Sequence, residues 1–143
     1  MILLDTNVLS ALMRDPPDAA VVAWLDGQVP DEVWTTAVSV FEVRFGLARL
    51  REGRRRGALE EAFEELLRED LAGRVAPVDA AAAEAAGRLA ARRQSAGRAV
   101  DVRDTLIGGV ALAQRAAVAT RNARHFDDLE TGVLNPWAAT ARP

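Results

Sequence analysis

Three acids in this chain stand where a carboxylate could do chemistry. Asp5 ends the apolar run ILL and opens DTNV, Glu42 follows Ser39 by three residues in SVFE, and Asp104 follows Asp101 by three in DVRDTLIGG. Each also has a structural use. Asp-Thr-Asn is good turn chemistry and caps helices. Ser-x-x-Glu is the spacing of a capping box, and an acid in a helix's first turn is favoured by the helix dipole. Gathered in one place, however, carboxylates repel and raise one another's pKa unless a cation neutralises them. A hard divalent ion held by oxygen solves that problem and activates water for hydrolysis.

Composition narrows the alternatives. Among the 143 residues there is no cysteine, His125 is the single histidine, and all 18 basic residues are arginine. A disulfide framework, a thiolate zinc site and a cysteine nucleophile are thereby excluded. Without lysine there is neither a P-loop nor a Schiff base. A Ser-His-Asp hydrolase would have to use His125, and no G-x-S-x-G elbow occurs. Oxygen ligands on a hard cation remain.

A net charge of −3 does not describe a chain coated in positive potential. The distribution says more: Arg44, Arg49, Arg51, Arg54, Arg55 and Arg56 lie close together, and Glu60, Glu61, Glu64, Glu65, Glu69 and Asp70 follow. The basic group reads either as a phosphate-binding face or as plain solubility, the acidic group as a solvated helix with i, i+4 ion pairs. Half the residues are apolar, enough for one core, so a single domain over residues 1–143 is expected. No apolar run approaches the about 18 residues that span a bilayer, and MILL is too short for a signal peptide. A soluble, cytoplasmic protein without a membrane segment is the expectation.

The elements that would position the acids follow from periodicity. Residues 1–4 read as a buried strand, 8–13 as a short helix ended by Pro16 and Pro17, and 19–25 as a helix capped by Asp18. VWTTA at 33–37 reads as strand two, and Ser39 opens a helix carrying Val40, Val43, Leu47 and Leu50 that ends near Gly53. Residues 58–71 form an amphipathic helix stopped by Gly73, 74–78 a third strand, and Asp79 caps an Ala-rich helix to about Ser95. An apolar helix spans 104–115, AVATR is strand four, HFDDL is a helical turn and GVLNPW adds an edge strand. The order predicts an α/β fold, a three-layer α/β/α sandwich with a mainly parallel sheet of four to five strands. In such sheets function gathers beyond the carboxyl ends of the strands. Asp5, Glu42 and Asn122 all fall just past a strand end, and Asp104 opens a helix that could face the same crevice.

Four blocks carry a resemblance: ILLDTNVLSAL, TAVSVFEVRFGL, DVRDTLIGGVALAQ, and VATRNARHF followed by NPW. In this order, and over nearly the whole chain, they resemble the PIN-domain ribonucleases, more narrowly the VapC-type toxins of bacterial toxin–antitoxin pairs. The resemblance implies a PIN-like fold and an endoribonuclease dependent on Mg²⁺ or Mn²⁺. Asp5, Glu42 and Asp104 would be its metal-binding and catalytic acids, with Thr6, Asn7 and Ser39 bracing them. The family's fourth acidic position falls at or near Asn122, an amide here, with His125 where other members carry Asp. Fewer negative ligands hold a second dication less well. Glu42 would receive the proton of the attacking water, leaving 5′-phosphate and 3′-OH ends. Arg44, Arg49 and Arg121 are candidates to hold phosphates flanking the cleaved bond in single-stranded or loop RNA.

A homodimer and a small cognate antitoxin are implied as partners, the antitoxin lying against helices near 8–25 and 39–50 and reaching the acids with an arginine. Asp5, Glu42 and Asp104 should then share one pocket, with Asp101, Asp127 and Asp128 outside it. Two rivals differ in class. A phosphatase or receiver-like domain would use Asp5 as an acyl-phosphate acceptor, but Thr6 stands where such sites carry a second acid and the balancing lysine is missing. A PIN-like binding module without catalysis would use the acids only as caps.

Overall fold

The computed structural model describes residues 1–138. Its central sheet has five strands, β1 (Ile2–Leu4), β2 (Val33–Thr36), β3 (Val75–Ala76), β4 (Ala117–Ala119) and β5 (Val133–Leu134), in the order β3-β2-β1-β4-β5. Every pairing is parallel. Six helices cover it: α1 (Thr6–Met13), α2 (Ala19–Asp26), α3 (Ala37–Ala48), α4 (Arg54–Glu65), α5 (Ala80–Ser95) and α6 (Val102–Gln114). The expected three-layer α/β/α sandwich is present, with a sheet wholly rather than mainly parallel. None of the described helices is long and apolar enough to cross a membrane.

The two faces of β1 show how the layers form. Successive side chains of a strand point to opposite faces. Leu4 accordingly packs with Val8, Leu9, Val43, Leu47 and Phe63 of α1, α3 and α4, while Leu3 packs with Leu89, Ile107 and Val110 of α5 and α6. On the second face the helices approach closely. A Cβ on Gly109 would lie 2.5 Å from the Ala82 carbonyl oxygen and 2.6 Å from the Ala86 Cβ, so α6 presents glycine where α5 presents alanine. This contact fixes the second half of α6 against the first turns of α5.

Several boundaries differ from the sequence expectation. The helix after β2 starts at Ala37, because the Thr36 hydroxyl accepts from the Ser39 N–H and is the cap that Ser39 was expected to be. Likewise α6 starts at Val102 and not at 104, with Asp101 accepting from the Asp104 N–H at 3.0 Å. Asp104 therefore sits in the first turn without being the cap. Helix α4 begins at Arg54, so the arginines expected in a loop wind into its first turn, and a π turn (Leu66–Asp70) ends it.

Chain order reverses at β1, which lies between β2 and β4. Connections leave this point in opposite directions and open a crevice beyond the carboxyl ends of the three strands.

Candidate active site

Asp5 continues β1 by one residue, its N–H donating to the Ala119 carbonyl at 2.9 Å, and then caps α1. One carboxylate oxygen accepts from the Thr6 N–H at 2.8 Å. The other accepts from the Thr120 hydroxyl at 2.7 Å and the Asn7 amide at 3.3 Å. The side chain is 5% exposed. Burial pushes its pKa above the ordinary aspartate value despite the bonds from Thr120 and Thr6, and the charge of Asp104 pushes the same way.

Glu42 lies one turn into α3. Its Oε1 accepts from the Thr6 hydroxyl at 3.0 Å, and its Oε2 is 3.7 Å from Nη1 of Arg103. Partial burial raises this carboxyl as well. The charges of Asp5 and Asp104 add to the rise, while the Thr6 hydroxyl and Arg103 oppose it. Thr6 thus links the first two acids, its N–H on Asp5 and its hydroxyl on Glu42. Asp104 faces them electrostatically while its Oδ2 lies 2.8 Å from Nδ1 of His125.

These donors suit a hard divalent cation: three carboxylates, with hydroxyls and an amide around them and no thiol. Among the described residues, however, no three acid, imidazole or thiol side chains are grouped so as to hold a metal ion as they stand. Each acid is instead turned to donors of its own chain, Asp5 to Thr120 and Asn7, Glu42 to Thr6 and Arg103, Asp104 to His125.

The remaining residues singled out from the sequence divide. Thr6 and Asn7 touch the acids, and the Asn7 Oδ1 also accepts from the Arg121 N–H at 3.0 Å. Ser39 is buried against Thr36, its hydroxyl 3.3 Å from that of Thr36, and braces the helix start rather than the acids. Asn122 donates its backbone N–H to the Thr120 hydroxyl, so the brace next to β4 is Thr120. Arg44 lies over Phe63 and 3.9 Å from Glu64, Arg49 over Phe45, and Arg121 over Trp137, so all three guanidiniums rest on aromatic rings. Asp101 caps α6, and Asp127 and Asp128 pair with Arg98 and Arg93.

Sequence reasoning missed Thr120 and Arg103. A strand-end threonine gives no local sign that its hydroxyl reaches a residue 115 positions earlier. The Arg103 signal was present, since a residue directly before Asp104 shares its helix turn.

A family model described as PIN domain matches residues 2–131. The chain is similar to VapC ribonuclease Y4jK of Sinorhizobium fredii, with 38% identity over 96% of this chain and 98% of the relative. It is also similar to Toxin FitB of Neisseria gonorrhoeae, with 35% identity over 96% of this chain and 99% of that one. The crystal structure of FitAcB from Neisseria gonorrhoeae superposes with a TM-score of 0.85 at 35% identity, covering 96% of this chain and 99% of that chain.

Proposed function

The chain belongs to the PIN-domain family, among its VapC-type members, and from that premise we propose that residues 1–143 form one PIN domain acting in the cytoplasm as a metal-dependent endoribonuclease, the toxin of a toxin–antitoxin pair. One observation carries the reading: two carboxyls with raised pKa, Asp5 and Glu42, meet around Thr6 beyond the strand ends, within electrostatic reach of Asp104. That arrangement costs the ionised chain stability, which the Thr120 and Thr6 hydrogen bonds and Arg103 offset in part and a bound cation would offset further.

Asp5, Glu42 and Asp104 are the residues that would hold Mg²⁺ or Mn²⁺, and a bound ion supplies an activated water and neutralises charge at the phosphorus. The chain's own groups do the rest. Glu42, with its raised pKa and its Oε1 hydrogen-bonded to Thr6, is suited to take the proton of the attacking water. Thr6, Thr120 and Asn7 keep the carboxylates aimed, and Arg103 brings a guanidinium to 3.7 Å from Glu42. Because water and not the ribose 2′-OH attacks, cleavage leaves 5′-phosphate and 3′-OH ends. Arg44, Arg49 and Arg121 hold flanking phosphates of unpaired RNA only if they leave their rings.

Partners follow from the same reading. A toxin requires an antitoxin, and a cleft of about 830 Å³ between the end of α1 and α4, with an apolar floor of Leu12, Met13, Leu59 and Ala62 among charged residues such as Arg14, Arg55, Glu61 and Asp70, offers a seat for a partner that is partly apolar and partly charged. An exposed stacked pair, Phe41 and Phe45 on α3, gives a second copy an apolar face to cover, which supports a homodimer.

Titration calorimetry with Mn²⁺ on the parent and on Asp104→Asn, paired with cleavage of a labelled single-stranded RNA, tests the proposal. Binding and cleavage in the parent, both lost in the variant, are expected. No binding by either protein would leave an inert PIN-like module.

A further inference from the structure

The imidazole on Asp104 is held in place by something other than packing. His125 belongs to a three-residue 3-10 turn, Ala123–His125, and its side chain is 56% exposed. With so little packed against it, the ring is placed by the Asp104 contact at its tip and by the backbone at its root, and that backbone is gripped on both sides. Nη2 of Arg93 donates to the His125 carbonyl at 2.8 Å, and Nη2 of Arg98 donates to the Arg124 carbonyl at 2.8 Å.

Both guanidiniums are themselves anchored. Arg93 is 4% exposed, an unusual place for an arginine. Its Nε and Nη2 form a fork on Asp128 at 2.8 and 2.9 Å, and its Nη1 lies 3.4 Å from the Thr105 hydroxyl. That hydroxyl donates to the Asp101 carbonyl at 2.6 Å, which ties the fork to the first turn of α6 where Asp104 sits. Arg98 reaches Asp127 at 3.0 Å. One planar group therefore fixes the spacing between the end of α5, the start of α6 and the turn that carries His125.

We infer that Arg93 and Arg98 are positioning residues for the acidic crevice, acting through His125, whose ring holds one oxygen of Asp104 and leaves the other to face Asp5 and Glu42. The 2.8 Å contact joins Nδ1 of the ring to Oδ2 of Asp104, so a ring held there keeps a proton on Nδ1 whenever the carboxylate accepts from it. A cleft of about 240 Å³ beside this contact, lined by Arg93, Arg98, Asp101, Asp104, Arg124 and His125, leaves the ring room to turn away once the grip is released. Partners that orient a ligating carboxylate matter to affinity nearly as much as the ligand itself. The consequence for metal rests on the nuclease reading above, whereas the positioning does not.

The single histidine makes the test direct, because one imidazole gives one set of ring resonances. In the parent, ¹⁵N NMR of the ring should show the Nδ1–H tautomer with a hydrogen-bonded proton. In Arg98→Gln and Arg93→Gln it should become a mixture with that proton lost to exchange. Mn²⁺ affinity by calorimetry should fall about tenfold or more in each variant and in His125→Ala. Arg98→Gln added to His125→Ala should cost nothing further, since the guanidinium acts through the ring. Should Arg93→Gln fail to fold, Arg98→Gln, at the partly exposed arginine, decides alone. An unchanged tautomer in Arg98→Gln, or a second full loss of affinity in the double variant, overturns the inference. A parent that binds no Mn²⁺ overturns the nuclease reading instead and leaves the ring spectra to judge the positioning.

Discussion

Asp5 and Asp128 each accept at least two hydrogen bonds, yet burial drives the first above the ordinary carboxylate range while Arg93 holds the second below it. Hydrogen-bond count does not separate them. What separates them is a cation: Asp128 meets a guanidinium fork, whereas Asp5 meets hydroxyls, an amide and, at longer range, other acids. The two clusters stand on neighbouring parts of the fold. One is a completed ion pair that holds the chain together. The other is left short of positive charge, and that shortage is what makes it a candidate site.

The same nearly isosteric change tests the contrast at both places. Asp104→Asn should lower RNA cleavage by roughly three orders of magnitude or more, since under the proposed reading a metal ion held by Asp104 would supply both nucleophile and charge stabilisation. Without divalent cation its unfolding free energy should equal or exceed the parent's, because one of several repelling charges is gone. Asp128→Asn should do the reverse. It leaves the buried Arg93 without its carboxylate and should cost about 3 kcal/mol in urea denaturation, the low end for breaking a buried pair. If Asp104→Asn costs as much stability as Asp128→Asn, the distinction between the clusters fails.

A smaller effect tests how the clusters are joined. Gly109→Ala would push a methyl against the Ala82 carbonyl and Ala86 and should cost about 1–3 kcal/mol, read in the same denaturation. A neutral result would mean that α5 and α6 separate without harm.

The smallest effect is in pH, where the two clusters act with opposite sign. Asp5 and Glu42 have raised folded pKa values, so their destabilisation is present at neutral pH and is relieved as pH falls toward their unfolded values. Asp128 is lowered, so its contribution is present above its unfolded value of about 3.9 and is lost as pH falls through the folded one. In EDTA the melting temperature should rise modestly on acidifying from pH 7 and then fall below about pH 4. Added Mn²⁺ should raise it most at neutral pH. A melting temperature that falls steadily from pH 7 downward would assign Asp5 and Glu42 the wrong environment.

Much of this was readable from the chain because strand ends and helix starts have local signatures. Asp5, Glu42 and Asp104 each stood out only weakly by their places after apolar runs and beside capping residues, and the preference for Asp104 over Asp101 came from the family resemblance. The choice among neighbouring caps could not be read. Thr36 and Ser39, or Asp101 and Asp104, offer the same chemistry three residues apart, and tertiary packing selects one. Arg93 was hidden for another reason: it sits in an Ala-rich helix among Arg92 and other solvated neighbours, and only the approach of α6 at Thr105 and of residues 125–128 buries it. Arg44, Arg49 and Arg121 looked available because sequence does not show the rings they rest on.

The central strand is also the first to be made. Asp5 leaves the ribosome early, but Thr120, which holds it, follows 115 residues later, and Glu42 and Asp104 arrive between them. β1 lacks its β4 neighbour for the same interval. A nascent chain therefore carries the first carboxylate long before it has the means to aim it, and the crevice is assembled only once β4 and Thr120 have been made.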